Sequence, residues 1–397
     1  MKKNLPAFVL ILLAAFIVRS QAAPSGVELL EETDLFINGQ DGIRQFRIPV
    51  LLTTQRGTLL AVCEARVEKD GDAPNNIDIV MKRSTDGGRI WSPLRTLMNN
   101  GNGAAGDALG LVDRQTGTIW IFAVWFPEGV GSINAQPGLG GDTATYWAVK
   151  SDDDGVTWSE PIDLTPMFKR PDWRSGSVGP GNGIQMRNGR LIVPRYYLAG
   201  PANQPMRPTA FVSYSDDHGK TWHIGGMTTP AETTNECQVV EREDGSLLLN
   251  MRNVINGRGN FRKLARSHDG GETWTAMTED SGLIEPDRGC QASLLTYTTK
   301  AQHGRSRLLF SNPASLRRNN FSIRLSYDEG ETWTEVRQLY GGPAAYSSLT
   351  ILPDMTIACL YERGDRNLYE KITFARFNLE WLTRGRDSLK SVKSAAR

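Results

Sequence analysis

One short pattern, S-x-D-x-G-x-x-W, occurs five times in the 397-residue chain. The copies are STDGGRIW (84–91), SDDDGVTW (151–158), SDDHGKTW (215–222), SHDGGETW (267–274) and SYDEGETW (326–333). Their starts lie 67, 64, 52 and 59 residues apart. Regular recurrence at this scale marks a repeat architecture, in which one supersecondary unit cannot bury its faces alone and stacks on its neighbours. The pattern itself is turn chemistry. The Asp carboxylate can accept backbone N–H groups of its own turn, Ser caps the turn in the same way, and Gly supplies a φ > 0 position. The Trp then folds back onto its own blade as a large apolar plug. Alternating runs such as IDIVMKR and TAFVSYS precede the boxes, so each box reads as a hairpin tip between two strands. Despite its acids, the box is a structural device.

Further strand-like runs fill the intervals: LLAVCEA, GTIWIFAVW, RLIVPRYY, SLLLNMR, SRLLFSN, LTILPDM and TIACLYE. Helical periodicity is weak throughout. The 40 Gly and 20 Pro suit many short strands joined by tight turns. The expected fold is all-β, a propeller of four-stranded blades. Five boxes leave one blade without a box. The segment after about Gly341, joined by an early strand near Glu28–Ile37, supplies it, which makes six blades over residues 27–385. The tail 386–397 is polar and basic, and fraying is expected from about Arg384.

Lys2 and Lys3 precede the apolar run Leu5–Val18, and small residues follow at Ala22 and Ala23. This is the order of a secretory signal peptide, placed at 1–22. An uncleaved anchor is the other reading, but the run is shorter than the roughly 20 residues a span requires. No second long apolar stretch follows, so no membrane span is expected in the mature chain. The expected location is the periplasm, the cell exterior or an endomembrane lumen. The charges balance at 45 basic and 44 acidic residues, which excludes the basic excess of a nucleic-acid binder. Cys63, Cys237, Cys290 and Cys359 lack C-x-x-C spacing and sit in apolar runs, so buried free thiols are expected.

A second series of motifs is interleaved with the boxes. In order they are FRIP (46–49), CEAR (63–66), KDGDAPNNID (69–78), NECQVVE (235–241), LNMRN (249–253), SNPASLRRNN (311–320), AAYSSLT (344–350) and LYERG (360–364). Together with the boxes they resemble the exo-α-sialidases, or neuraminidases, which remove terminal sialic acid from glycans. The resemblance runs from about residue 35 to 382. It implies Arg47, Arg252 and Arg318 as a triad that binds the substrate carboxylate, with Glu362 orienting Arg47. Arg317 stands next to Arg318 and an offset of one would exchange them; the spacing to FSIRLSY favours Arg318. It also implies Tyr346 as nucleophile, Glu236 as its base and Asp72 as general acid. Asp107 resembles a position lining the sugar pocket. Arg66 is either pocket wall or a strand-end salt bridge.

The chemistry is coherent on its own terms. Sialic acid carries a carboxylate on its anomeric carbon, and arginines hold carboxylates through charge-assisted, partly bidentate bonds. A carboxylate nucleophile would approach a carbon already bearing an anion; sialidases use Tyr instead. A phenol of pKa near ~10 requires a base. No metal or cofactor is required, and the expected partners are sialylated glycoproteins, gangliosides and oligosaccharides. A trans-sialidase would use the same residues. A glycan-binding propeller without chemistry could keep the arginines yet lose Asp72 or Tyr346, and this chain has both.

Three further motifs carry no function. GNGAAG (101–106) fits G-x-G-x-x-G, but no clear strand leads into it and no amphipathic helix follows. His218, His223, His268 and His303 form no metal-binding spacing. The sequon Asn320-Phe321-Ser322 lies beside Arg318 and is expected to be unmodified. The segment Trp125–Tyr146, rich in Gly, Asn and Pro, is a candidate glycan-recognition loop.

Overall fold

The computed structural model describes residues 27–389 except 206, 230–232 and 255–260. The segment read as a signal peptide, 1–22, lies outside the described residues. The fold is all-β, with α-helix confined to Thr165–Phe168, Lys300–His303 and Leu379–Thr383 among the described residues.

Strands pair antiparallel with their sequence neighbours. Gln45–Thr53, Leu59–Arg66, Ile77–Ser84 and Arg95–Met98 form one meander. Ala104–Val112, Ile119–Phe126, Thr145–Ser151 and Ile162–Asp163 form the next. The order recurs over 173–227, 234–284 and 293–343. The last meander draws on both ends of the chain: the early strand Leu30–Ile37 pairs with Lys371–Phe377, as the sequence suggests. Successive meanders are also stitched together. Ile77 pairs in parallel with Ala104, and the 17-residue strand Glu335–Ile351 is the outer strand of one meander and then the inner strand of the next. The hydrogen-bonded sheets therefore contain nine, five, four and seven strands, rather than four each.

Meanders pack face to face, so central strands are buried on both faces and read as continuous apolar runs rather than alternating ones. Leu59–Arg66 is buried at every position. Val50, Val62 and Ile79 of the first meander meet Ala105, Ile121 and Val149 of the second. All four cysteines are buried free thiols. GNGAAG leads into the strand Ala104–Val112 rather than a helix. The packing continues past Arg384: Asp387 accepts from Arg307 Nε and Nη2, both at 2.8 Å.

All five boxes make the same turn. Ser84, Ser151, Ser215, Ser267 and Ser326 each donate to the box Asp, at 2.8–2.9 Å, and each accepts the N–H of the box Gly. Those glycines have φ between 79° and 95°, where a side chain would be strained. Trp333 packs on Phe310 of its own meander, 5.6 Å between ring centres, as expected of a plug, but two other box tryptophans act differently. Trp91 packs edge-on against Phe374 of the last meander, and Trp222 against Trp120 and Phe122 of the second. These two bridge neighbouring meanders.

The box carboxyls of Asp217 and Asp269 sit near pKa 2: burial acts to raise them, but side-chain and backbone donors led by Thr221 and Thr273 outweigh it. A folded-state pKa below the unfolded value gives stability that is fully present above about pH 4 and lost as pH falls through about 2. Asp217→Ala is expected to lower stability by ~1 kcal/mol at neutral pH, as loss of a comparable cap does. Thermal melts should show that loss at pH 7, shrinking toward pH 2, with kcat unaltered. An equal loss at both pH values would refute the carboxylate's role.

Candidate active site

In an antiparallel meander the start of the inner strand and the end of the second strand share one rim, while the tip after the third strand lies on the other. The boxes occupy that other rim. The motif residues all fall on the first: Arg47, Asp107, Glu236 and Tyr346 near starts of inner runs, Arg252 and Glu362 near ends of second strands, Asp72 and Arg318 in the loops that follow such strands. Each of the four inner runs breaks register at its site residue, between Arg47 and Val50, Gly106 and Leu109, Thr234 and Cys237, and Ala344 and Ser347. Bulges of this kind re-aim side chains. Two carry left-handed backbone on side-chain-bearing residues, Ile48 at φ 57° and Asp107 at φ 49°. For β-branched Ile48 this is a strained conformation.

Tyr346 lies at the centre. Its Oη donates to Glu236 Oε1. Arg252 Nη1 donates to Glu236 Oε2 at 2.7 Å and to Tyr346 Oη at 3.0 Å. The guanidinium carbons of Arg47 and Arg318 lie 5.2 and 5.6 Å from the Tyr346 ring centre. The three arginines named from the sequence thus surround one phenol. Glu362, fully buried, takes Arg47 Nε at 2.6 Å, Ile48 N at 2.8 Å and Tyr346 N at 3.0 Å. Of the adjacent pair, Arg318 faces the site and donates to Tyr369 Oη at 2.6 Å, whereas Arg317 is exposed.

Asp72 presents a side chain that is 87% exposed to a site whose other members are buried or half-buried. Its Oδ1 accepts from Arg66 Nη2 at 2.6 Å. Arg66 is itself buried and fixed by Glu64 Oε2 through Nε at 3.1 Å and Nη2 at 3.0 Å. Arg66 is therefore a strand-end ion pair, and its second carboxylate partner is Asp72. The loop 127–144 backs the same turn: a Cβ on Gly131 would fall 2.2 Å from Ala73 O.

Burial pushes the Tyr346 phenol well above its ordinary value and the Glu236 charge adds to this, against the opposing Arg252 and Arg318. The phenol is thus held protonated, hydrogen-bonded to its acceptor. Burial also raises Asp107, reinforced by Glu64 and Glu236. Asp72 goes the other way. Desolvation by the groups around it acts to raise it even at this exposed position, but the guanidiniums of Arg66, Arg47 and Arg252 hold it below the usual carboxylate range.

Sequence reasoning passed over several members. Tyr369 lies flat under Arg47, 3.6 Å from ring centre to guanidinium carbon, and bridges it to Arg318. Glu64 stands inside the quoted CEAR motif and also accepts Asp107 N at 2.7 Å. Arg288 O receives Arg252 Nε and Nη2 at 3.0 and 2.9 Å. The next residue, Gly289, has φ 70° and would place a Cβ 2.5 Å from Arg252 Cγ. A separate cavity of about 680 Å³ opens at the far ends of the inner strands, lined by Leu52, Gln185, Glu241 and Leu294, and none of the site residues named above lines it. Among the described residues no cluster suits a metal ion, and no helix is long and apolar enough to cross a membrane.

Residues 57–359 match the family described as BNR repeat-like domain. A sialidase of Bacteroides fragilis is 38% identical over 342 residues, covering 82% of this chain and 61% of that protein. The chain thus spans about three-fifths of that relative's length. An exo-alpha-sialidase of Aspergillus fumigatus is 31% identical, covering 87% of this chain and 86% of its own. Among solved structures, the Hadza microbial sialidase Hz136 superposes with a TM-score of 0.80 at 36% identity, covering 88% of this chain and 69% of that one.

Proposed function

The chain belongs to the sialidase family, and from that premise we propose that it is an exo-α-sialidase, a retaining glycoside hydrolase built on a six-bladed β-propeller. The observation that carries the reading is a buried phenol, Tyr346, hydrogen-bonded to Glu236 inside a ring of three guanidiniums. The successive four-strand meanders, with the first strand completing the last, support the six blades.

In this mechanism Arg47, Arg252 and Arg318 bind the sugar carboxylate and fix the anomeric carbon over Tyr346. Glu236 accepts the phenol proton as Tyr346 Oη bonds to the anomeric carbon. The glycosidic C–O bond breaks, and Asp72 gives its proton to the departing oxygen. In the second half Asp72 takes a proton from water, the water oxygen bonds to the anomeric carbon, and Tyr346 leaves and recovers its proton from Glu236. Two inversions give retention. Asp107 flanks the sugar. The substrates are terminal α-linked sialic acids on glycoproteins, gangliosides or oligosaccharides, reached after export directed by residues 1–22.

The decisive experiment is release of a fluorophore from an α-sialoside by the purified chain, with proton NMR of the first-formed anomer. An α-anomer released into water supports the reading. An inert but folded protein that still binds sialic acid would make it a glycan binder, and transfer to an added galactoside in place of water would make it a trans-sialidase.

A pH signature follows from the lowered Asp72 carboxyl. Substrate carboxylate on the triad cancels the field of Arg47 and Arg252, so Asp72 rises toward its ordinary value in the complex. Asp72 must be protonated to act. The alkaline limb of kcat is therefore expected at higher pH than that of kcat/KM. Coincident limbs, or the reverse order, would remove Asp72 from the role of acid.

A further inference from the structure

Beside the candidate active site a second cavity, of about 470 Å³, lies between the loop 314–318 and the turn 364–370. Arg317, Arg318 and Arg366 are among the residues that line it, with Asn319 and Asn367, and no Asp or Glu is. Arg47 and Arg252 each have a carboxylate partner, Glu362 and Glu236. Arg318 has neutral acceptors only, Tyr369 Oη and Gly289 O at 3.3 Å. Among the described residues no carboxylate lies within ion-pair distance of Arg317, Arg318 or Arg366. Glu370, a nearby acid, accepts the N–H groups of Asp365, Arg366 and Asn367 at 3.0, 3.0 and 2.9 Å. Three cations around one cavity repel one another unless an anion or solvent intervenes, and an anion bound there would gain from all three.

We propose that this cavity is a subsite for a second anionic group, a carboxylate or a sulfate ester, carried on the sugar next to the one removed. The inference rests on the sialidase reading. Arg318 is shared: it stands against the Tyr346 ring on one side and lines the cavity on the other. A glycan whose terminal carboxylate lies on the triad can thus reach a second cationic position without leaving the rim. Arg317 and Arg366 are exposed and lie outside the reacting centre, so they select the leaving sugar rather than act on the bond.

The test compares wild type with Arg317→Ala/Arg366→Ala on three sialosides. One has a neutral aglycone, one a second sugar bearing a carboxylate, and one a second sugar bearing a sulfate ester. The double variant is expected to keep kcat/KM on the neutral substrate within about twofold, as exposed charges allow, and to lose about tenfold on an anionic one. Loss on the carboxylate or on the sulfate substrate names the source. Equal loss on all three, or on none, overturns the subsite. Calorimetric titration of lactose 3-sulfate into both proteins reads the subsite without catalysis. If wild type cleaves no sialoside, the sialidase reading fails, and this titration decides alone: binding that weakens about tenfold in the double variant supports the subsite, while equal or absent binding overturns it.

Discussion

Tyr346→Phe is expected to lower kcat on an α-sialoside by on the order of 10³-fold, about 4 kcal/mol of transition-state stabilisation. The change removes one oxygen and leaves the ring against Ile48, Cys290 and Ala345, so the fold should survive. Loss of the hydroxyl deprives Glu236 Oε1 of its donor, but Arg252 remains on Oε2, and the melt should move by no more than ~1 kcal/mol. Substrate affinity should change little, because the arginines are untouched. A fluorinated sialoside should form an adduct with wild type, seen as added mass on the peptide containing Tyr346, and none with the variant. Full activity in Tyr346→Phe would eliminate the phenol as nucleophile.

Glu362→Ala is expected to be the most damaging change to fold and site together. One buried carboxylate serves three donors: Arg47 Nε and the N–H groups of Ile48 and Tyr346. Its removal leaves a buried guanidinium without its counter-ion, which typically costs about 3–5 kcal/mol. It also releases the turn that holds Ile48 at φ 57° and aims Arg47 at the substrate. Denaturant unfolding should register the loss of stability. Glu362→Gln keeps the shape and one acceptor oxygen but turns an NH2 toward a backbone N–H. It should fold and serve for kinetics, with KM raised about tenfold or more. A Glu362→Ala variant within ~1 kcal/mol of wild type, with unchanged KM, would refute the bridging role.

What the sequence disclosed was local chemistry and order. The boxes could be read because a turn of one Ser, one Asp and one left-handed Gly must use those residue types, and the structure forms the same turn at all five. The site residues could be named because the motifs keep a family order. Their gathering could not be read, since it depends on bulges at Arg47, Asp107, Glu236 and Tyr346, and a bulge leaves no periodic trace. Tyr369 was missed for a related reason. It is an unremarkable Tyr in NLYEK until two distant strands bring Arg47 over its ring. Gly289 carries no signal in the sequence, and only the packing of Arg252 shows why a side chain there would not fit. Trp91 and Trp222 were assigned to their own blades because sequence gives no account of seams between neighbours.

The bond from Arg47 to Glu362 joins residues 315 positions apart. At typical synthesis rates of ~5–20 residues per second, Arg47 waits roughly 15–60 s for its partner to be made. The early strand Leu30–Ile37 waits longer still for Lys371–Phe377. Meanders in the middle of the chain can close as they emerge, each from local contacts. The candidate site cannot, because its first and last contributors lie 315 positions apart. A nascent chain stalled short of residue 362 would hold Tyr346 and all three arginines and still have no fixed seat for the first of them. Activity should therefore appear as a late, abrupt step in maturation, after most of the β-structure has formed.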